Sequence, residues 1–428
     1  MNTKYRWSIL ALLFLASFIN YVDRASLSVA APFISKEFHL TPAMLGMIFS
    51  SFFVGYAIFN FVGGYLSDVY GPRKTFGVAM TSWSIFGGLT IFSTGFTSLF
   101  IYRVLFGMGE GPISSGTNKM ISNWFPSKER ARAVGISIAG MPLGAALTGP
   151  IVGLLAIMWG WRSSFIVLTV LGLAWVAVWL KMTTDLPRQS SRISPAELSE
   201  IESDQRKTSS TQKSALPLSF FLRQPAILST ALAFFACNYI IYFFLTWFPS
   251  YLVMAHNVSL RNMSIVTMIP WLIGFIGQAG GGFVSDYLYK KTGNLMLSRK
   301  LVIVPCLIAS AVSVAMCGLT KSAPVAVVLI SMGVFFMYAT ISSYWAIIQD
   351  TVRSENVGGV GGFVHFLSNI AGIVGPSATG FLVQASGSFR SAFLLVAGLG
   401  FAGALAVAFF AKPIAVGTTA VPVAAGQQ

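Results

Sequence analysis

Apolar runs of about 20 residues, each long enough to cross a hydrocarbon core of about 30 Å, recur along the whole chain. They fall at 7–31, 43–67, 75–96, 98–122, 132–158, 162–182, 225–252, 262–286, 300–319, 323–349, 358–384 and 390–411. Twelve such crossings leave little else in 428 residues. Composition agrees: 55% of the residues are hydrophobic and 10% charged, with a mean hydropathy of +0.74, whereas a soluble domain carries about 25% charged residues. Cys237, Cys306 and Cys317 all lie in apolar runs. Their spacing matches neither a zinc site nor a disulfide framework, so they read as small buried hydrophobes.

The net charge of +15 would suggest nucleic acid in a soluble protein. Here the positions of the charges matter more. Alternate connections hold Lys4, Arg6, Arg73, Lys74, Lys128, Arg130, Arg132, the 181–223 connector, Lys290, Lys291, Arg299, Lys300, Arg353 and Lys412. The opposite connections hold only Lys36, Arg162, Arg261, Lys321 and Arg390. This asymmetry predicts that both termini are cytoplasmic and accounts for the basic balance as topology, without nucleic acid. A cleaved signal peptide ending near Ser28-Val29-Ala30 would leave eleven spans and reverse the charge logic of the first loop, so it is set aside.

The two ends of the chain repeat one another. Gly64-Tyr65-Leu66-Ser67-Asp68 closes the second run and Gly282-Phe283-Val284-Ser285-Asp286 the eighth. Trp161-Arg162-Ser163-Ser164-Phe165 opens the sixth and Phe389-Arg390-Ser391-Ala392-Phe393 the twelfth. The expected fold is therefore twelve transmembrane helices in two pseudo-symmetric six-helix bundles. Residues 1–183 would form the first bundle and 223–416 the second. A polar linker spans 184–222, and an Ala/Val/Gly-rich tail at 417–428 is expected to be disordered. Within the linker, Ser194 with Glu197 three residues on reads as the start of a short helix. An Asp at a helix end can pair with basic residues or with the start of the adjoining helix. Asp68, Arg73 and Asp286 are thus candidate gating residues, a latch that must break when the halves rock.

The charges inside the runs are few. Of 13 acidic residues, only Asp23 and Glu110 fall away from loops, linker and helix ends; Arg24 and Arg103 are the bases at comparable depth. A charge at the bilayer centre costs roughly 2.5–3.5 kcal/mol on insertion scales, so these four need partners or a task. Seven residues, about two helical turns, separate Arg103 from Glu110 and place them on one face. Packing salt bridges alone need fewer charges than two Arg and two acids in one half. Titratable intramembrane acids point to proton coupling.

These motifs resemble the major facilitator superfamily, and more narrowly its anion:cation symporter family. That family includes bacterial permeases for hexuronates, aldonates and glucarate, and vesicular glutamate and sialic acid carriers. The resemblance covers essentially the whole length. It rests on Asn20-Tyr21-x-Asp23-Arg24, Tyr56, Arg103-x-x-x-Gly107, Gly109-Glu110-Gly111-Pro112, Asn123-Trp124-Phe125-Pro126, Asn238-Tyr239 and Trp247-x-Pro249-x-Tyr251. It implies that Arg24 binds a substrate carboxylate with Tyr21 and Tyr56, and that Asp23 and Glu110 are protonation sites. Arg103 would pair with an acid, and Ser342, Tyr344 and Trp345 would face the substrate from the second half. Two positions depart from related sugar-acid permeases: Met141 stands where Gln is frequent, and His365 where Asn is frequent, with Asn369 one turn later. Both swaps bear on which substrate is read, since Met is only a weak acceptor.

The function this implies is proton-coupled uptake of a small organic anion, a sugar acid such as a hexuronate or aldonate, by alternating access. The expected setting is a bacterial inner membrane. The partners would be the anion, protons and the lipid bilayer; no nucleic acid and no cofactor beyond the coupling proton are expected, and the chain would act as a monomer. A symporter for another carboxylate, aromatic or small, is the nearest alternative. A proton-coupled drug antiporter is a further one, because Gly140-x-x-x-Gly144 and Gly149-Pro150-x-x-Gly153 resemble the helix-five motif of such exporters. Arg24 beside Asp23 suits an anion better than a lipophilic cation. The sequence carries no HExxH or GxSxG for a membrane enzyme, and its linker and tail are short for a signalling sensor.

Overall fold

The computed structural model describes residues 5–208, 218–352 and 354–412; part of the linker, Arg353 and the 417–428 tail lie outside the described residues. Among those described the secondary structure is helical, without strands, as a chain in lipid requires when every backbone group must be satisfied within its own segment. The helices are α1 (Arg6–Phe38), α2 (Pro42–Tyr70), α3 (Pro72–Gly88), α4 (Phe96–Glu110), α5 (Ile113–Trp124), α6 (Ser127–Thr148), α7 (Leu154–Trp159), α8 (Trp161–Met182), α9 (Pro195–Thr208), α10 (Leu218–Leu222), α11 (Pro225–His256), α12 (Leu260–Val266), α13 (Met268–Thr292), α14 (Leu295–Cys317), α15 (Ala323–Thr351), α16 (Ser354–Ser386) and α17 (Arg390–Phe410). The three cysteines are free thiols.

Eleven helical segments among the described residues are long and apolar enough to cross a membrane. The expected crossing at 98–122 differs from the rest, because it is broken at Gly111-Pro112 into α4 and α5. Pro112 has no N–H to offer the preceding turn and its ring crowds that turn's carbonyl. The break leaves Glu110 as the last residue of α4. A second irregularity, a π turn over Gly149–Gly153, joins α6 to α7.

Helix pairing is the same in the two parts of the chain. In the first, α1 packs on α6, α2 on α4 and α3 on α8; in the second, α11 packs on α16, α13 on α15 and α14 on α17. The two parts meet through α2 on α16, α1 on α11, and α6 on α13. Several close contacts across this boundary gather at the end that carries Lys36 and Arg162. The Ser377 N–H donates to Ser50 Oγ at 3.0 Å, the Ala43 N–H to Gln384 Oε1 at 3.1 Å, and the Ser28 hydroxyl to the Thr246 carbonyl at 2.9 Å. Phe49 meets Trp247 edge-on at 5.6 Å. The π turn belongs to this seal: a Cβ at Gly149 would lie 2.3 Å from the Ser264 carbonyl oxygen, and one at Gly153 2.0 Å from its Oγ. The glycines that resemble an exporter motif thus have a packing task, since only Gly lets α12 approach so closely.

The linker is fastened to α1. Ser194 Oγ accepts the Glu197 N–H at 3.2 Å, the expected cap of α9. The Glu197 carboxylate does not close the capping box. It turns to the start of α1, which has no side-chain cap of its own, and accepts the N–H groups of Tyr5 at 2.9 Å and Arg6 at 3.1 Å. Arg6, fully buried, pairs with Glu129 of α6 at 3.0 Å and Glu200 of α9 at 3.1 Å. Breaking a buried pair leaves charge without compensation, at about 3–5 kcal/mol. Arg6→Ala, which leaves three carboxylates side by side, should lower the thermal unfolding temperature of the purified protein by several times more than Glu200→Gln; equal melting of the two variants would show that the cluster contributes little.

Candidate functional site

Arg24 and Glu110 lie at the centre of the first half. α1 supplies the guanidinium, 6% exposed, and the end of α4 supplies the carboxylate, with no exposed surface. Glu110 Oε2 accepts from Arg24 Nη2 at 2.7 Å and from Nε at 3.1 Å, whereas Oε1 accepts no close hydrogen bond among the described residues. Asn20, one turn earlier on α1, approaches Arg24 Nη2 at 3.5 Å. Aromatic rings enclose the cation: Arg24 Cζ lies 4.8 Å from the Tyr56 centroid, 4.9 Å from Phe52 and 5.1 Å from Tyr21. Ring faces attract a cation and exclude water, so the charge is held by π clouds and one carboxylate. The geometry leaves a planar donor fork that a second carboxylate could take over.

Asp23 and Arg24 are neighbours in sequence but look in different directions. Asp23 Oδ2 accepts from Trp83 Nε1 on α3 at 3.1 Å. Arg103 departs from expectation, since it forms no ion pair among the described residues. Its guanidinium lies 5.1 Å from the Phe52 ring and 4.9 Å from Phe106, and Nη2 reaches the Arg24 carbonyl at 3.5 Å. Glu110, the acid it was expected to share a face with, is held by Arg24 instead. The reason is reach: α1 brings Arg24 directly against the end of α4, whereas Arg103 is turned between Phe52 and Phe106.

In the second half the Tyr242 hydroxyl donates to Asn369 Oδ1 at 2.7 Å. Asn369 Nδ2 in turn meets the His365 carbonyl at 2.7 Å and its Nδ1 at 3.2 Å. His365 lies 6.0 Å from Trp345 and 6.2 Å from Phe234, between ring centroids. Phe53 stands against Tyr242 at 4.4 Å and against Phe52 at 5.0 Å. One set of aromatic contacts therefore runs from the Arg24 cage across the boundary to Asn369 and His365. Ser342, Tyr344 and Trp345 do not share a face. Ser342 is exposed and Trp345 half-buried, but Tyr344 is fully buried and stacks on Phe234 at 5.0 Å; residues two apart on a helix diverge by about 200°. Met141 is half-buried on α6. Sequence reasoning missed Phe52, Trp83 and Tyr242, although Tyr242 sits one turn after Asn238.

The candidate latch residues lie at the other end of the bundle. Asp68 pairs with Lys119 of α5 at 2.6 Å, not with Arg73, and both side chains are well exposed. The Arg73 N–H donates to Asp185 Oδ1 at 2.8 Å, and its guanidinium donates to the Leu180 carbonyl. Asp286 meets Arg299 at 3.2 Å, which also holds Asp350 at 3.2 Å. An exposed pair such as Asp68–Lys119 contributes about 0–1 kcal/mol, weak enough to open, whereas Arg299 is largely buried between its two partners. A cavity of about 670 Å³ between α11, α12, α13 and α15 is lined by residues such as Leu252, Val266, Val327 and Phe335, without any charged side chain, so it offers an anion no counter-charge.

A sequence model of the Major Facilitator Superfamily matches residues 13–376 and 297–425. The chain belongs to that superfamily and is a membrane transporter, not an enzyme. It is 50% identical over 416 residues to the hexuronate transporter of Bacillus subtilis strain 168, covering 97% of this chain and 96% of the relative. It is 33% identical to a probable galactarate/D-glucarate transporter of Escherichia coli K12, covering 91% of each. Among solved structures, a D-xylose–proton symporter superposes with a TM-score of 0.77 at 18% identity, over 96% of this chain and 98% of that one; at that identity it speaks for the fold alone.

Gly107 fixes how closely α4 approaches α2, because a Cβ there would lie 2.0 Å from the Phe52 carbonyl oxygen. Gly107→Ala should destabilise the protein by about 3 kcal/mol and displace Phe52 from Arg24. A variant that melts like the parent would overturn this account of the contact.

Proposed function

We propose that the protein is a proton-coupled uptake symporter for a small organic anion, a hexuronate in the first instance, in a bacterial inner membrane with both termini cytoplasmic. The observation that carries this reading is the buried Arg24–Glu110 pair. A guanidinium this secluded needs a counter-charge at all times, since desolvating an unpaired ion costs several kcal/mol. Glu110 supplies that charge while it is ionised. When Glu110 takes up a proton, the fork of Arg24 is free for the carboxylate of the substrate, with Tyr21 and Tyr56 along its flanks and Trp345, His365 and Asn369 as hydroxyl-reading groups opposite. When the proton leaves, Glu110 competes for Arg24 and the substrate is released. The carboxylates of Glu110 and of the substrate thus exchange places on one cation, and the proton rides on Glu110 while the anion is bound, which ties uptake to a pH gradient.

The arrangement of contacts between the two bundles supports an inward-facing, empty state: the seam through Ser50, Ser377 and Ser28 closes the side assigned to the periplasm by the Lys/Arg asymmetry, and Glu110 occupies Arg24. Rocking about the central site would open that seam and load the Asp68, Arg73 and Asp286 ends. The high identity to a relative named for hexuronate transport favours a hexuronate over other carboxylates, and Met141 and His365 are the positions most apt to tune that choice. Proteoliposomes given an inwardly directed pH gradient should accumulate D-glucuronate. Glu110→Gln should remove the response to the gradient yet retain exchange of labelled for unlabelled substrate, and Arg24→Lys should lose both by about tenfold or more. Uptake indifferent to the gradient in the parent protein would refute proton symport.

A further inference from the structure

Asp23 opens on a second polar space within the first half, on the side of Asp23 that faces Trp83 and Arg103. Trp83, Ser84 and Thr90 line it from α3 and the 3-10 turn that follows, Arg103 from α4 and Phe165 from α8. About 10 Å³ of it is accessible to a sphere the size of water, close to what one water needs. Ser84 and Arg103 line it, and Ser84 Oγ and Arg103 Nε are buried without a partner among the described residues, on side chains only 3% and 5% exposed. Asp23, 7% exposed, adds a carboxylate with one hydrogen bond from Trp83. Buried polar groups in native proteins find a partner, and an ordered water is the partner where protein supplies none. Three residues after Thr90, Ser93 also has a buried Oγ without a partner among the described residues, and the exposed Thr94 follows it in the α3–α4 connection. That connection lies at the same end of the bundle as Glu37 and Arg162, since Arg162 Nε donates to the Ile91 carbonyl at 3.1 Å.

We infer that this space holds ordered water through which Asp23 exchanges its proton with the Arg162 end of the protein, along Ser84, Thr90 and Ser93, by a route inside the first bundle and separate from the path of the substrate. The inference rests on the proton-coupled reading above and deepens it. It divides the work between the two acids: Glu110 trades its place on Arg24 with the anion, and Asp23 loads from a side route that stays available while the central seam is shut. The charged groups that act on Asp23 are Glu110 and Arg103, both on α4. The groups that α3 and α8 turn to the space are uncharged. A proton reaching Asp23 is therefore felt directly by Glu110 and by Arg103, and Arg103 in turn touches the backbone carbonyl of Arg24.

The test uses Thr90→Val and Ser84→Ala in the full chain, reconstituted in proteoliposomes with D-glucuronate. Two rates are read: uptake driven by a pH gradient, and counterflow, in which labelled substrate exchanges for unlabelled without net proton movement. The inference expects gradient-driven uptake to fall at least about fivefold while counterflow stays within about twofold of the parent, which also reports that the variants are folded. Gradient-driven uptake that survives both substitutions, or that falls in step with counterflow, overturns it. A parent protein without any response to the gradient would sink the symport reading and this inference together, an outcome distinct from survival of the response in the variants.

Discussion

A cation that cannot be left alone dominates this structure. Arg24 is sealed among Tyr21, Phe52 and Tyr56, with Glu110 as its single anionic partner among the described residues. In water such a pair contributes little; in a dry bundle, losing either member leaves an uncompensated charge. The surrounding architecture serves that pairing. The break at Gly111-Pro112 places Glu110 at the end of α4, and the close approach of α4 to α2 at Gly107 brings Phe52 over the guanidinium. In the function proposed above, such a site binds an anion only in exchange for a charge already present, which would turn simple recognition into coupling.

α1 carries two buried arginines with opposite characters. Arg6 at its start is surrounded by Glu129, Glu197 and Glu200, more negative charge than it needs, and so acts as a fixed anchor that joins the linker helix to the first bundle. Arg24 has one carboxylate among the described residues, the partner it would exchange in the function proposed above. Packed rings connect it to the second half: Tyr56 stacks on Phe52, Phe52 meets Phe53 edge-on, and Phe53 packs at a tilt against Tyr242, which holds Asn369. This is spatial continuity between the two halves at the level of the site, the physical condition for coupling across them.

The aliphatic pattern made the twelve crossings legible, because lipid imposes a length and a polarity on every segment that spans it. It could not show that one crossing is two helices, since Gly111 and Pro112 are apolar enough to pass within a hydrophobic run. The scarcity of charge made Arg24, Asp23, Glu110 and Arg103 legible as a group, because each is costly where it lies. Which of them pair was not legible. Seven-residue spacing put Arg103 and Glu110 on one face of α4, but Arg24 arrives from another helix and takes the carboxylate, and the facing of Asp23 toward Trp83 depends on how α3 packs. Likewise Ser342, Tyr344 and Trp345 are close in sequence, yet helical geometry sends Tyr344 into the interior.

The sequence by itself determined the membrane, the repeat and the short list of buried charges, since these follow from local composition and from the cost of placing polar groups in hydrocarbon. Only the tertiary structure decided that Arg24 belongs to Glu110, that Asp23 faces a separate space, and that Tyr242 and Asn369 complete the opposite wall. Those choices depend on contacts between residues 60–130 positions apart, brought together by helix packing that no local pattern encodes.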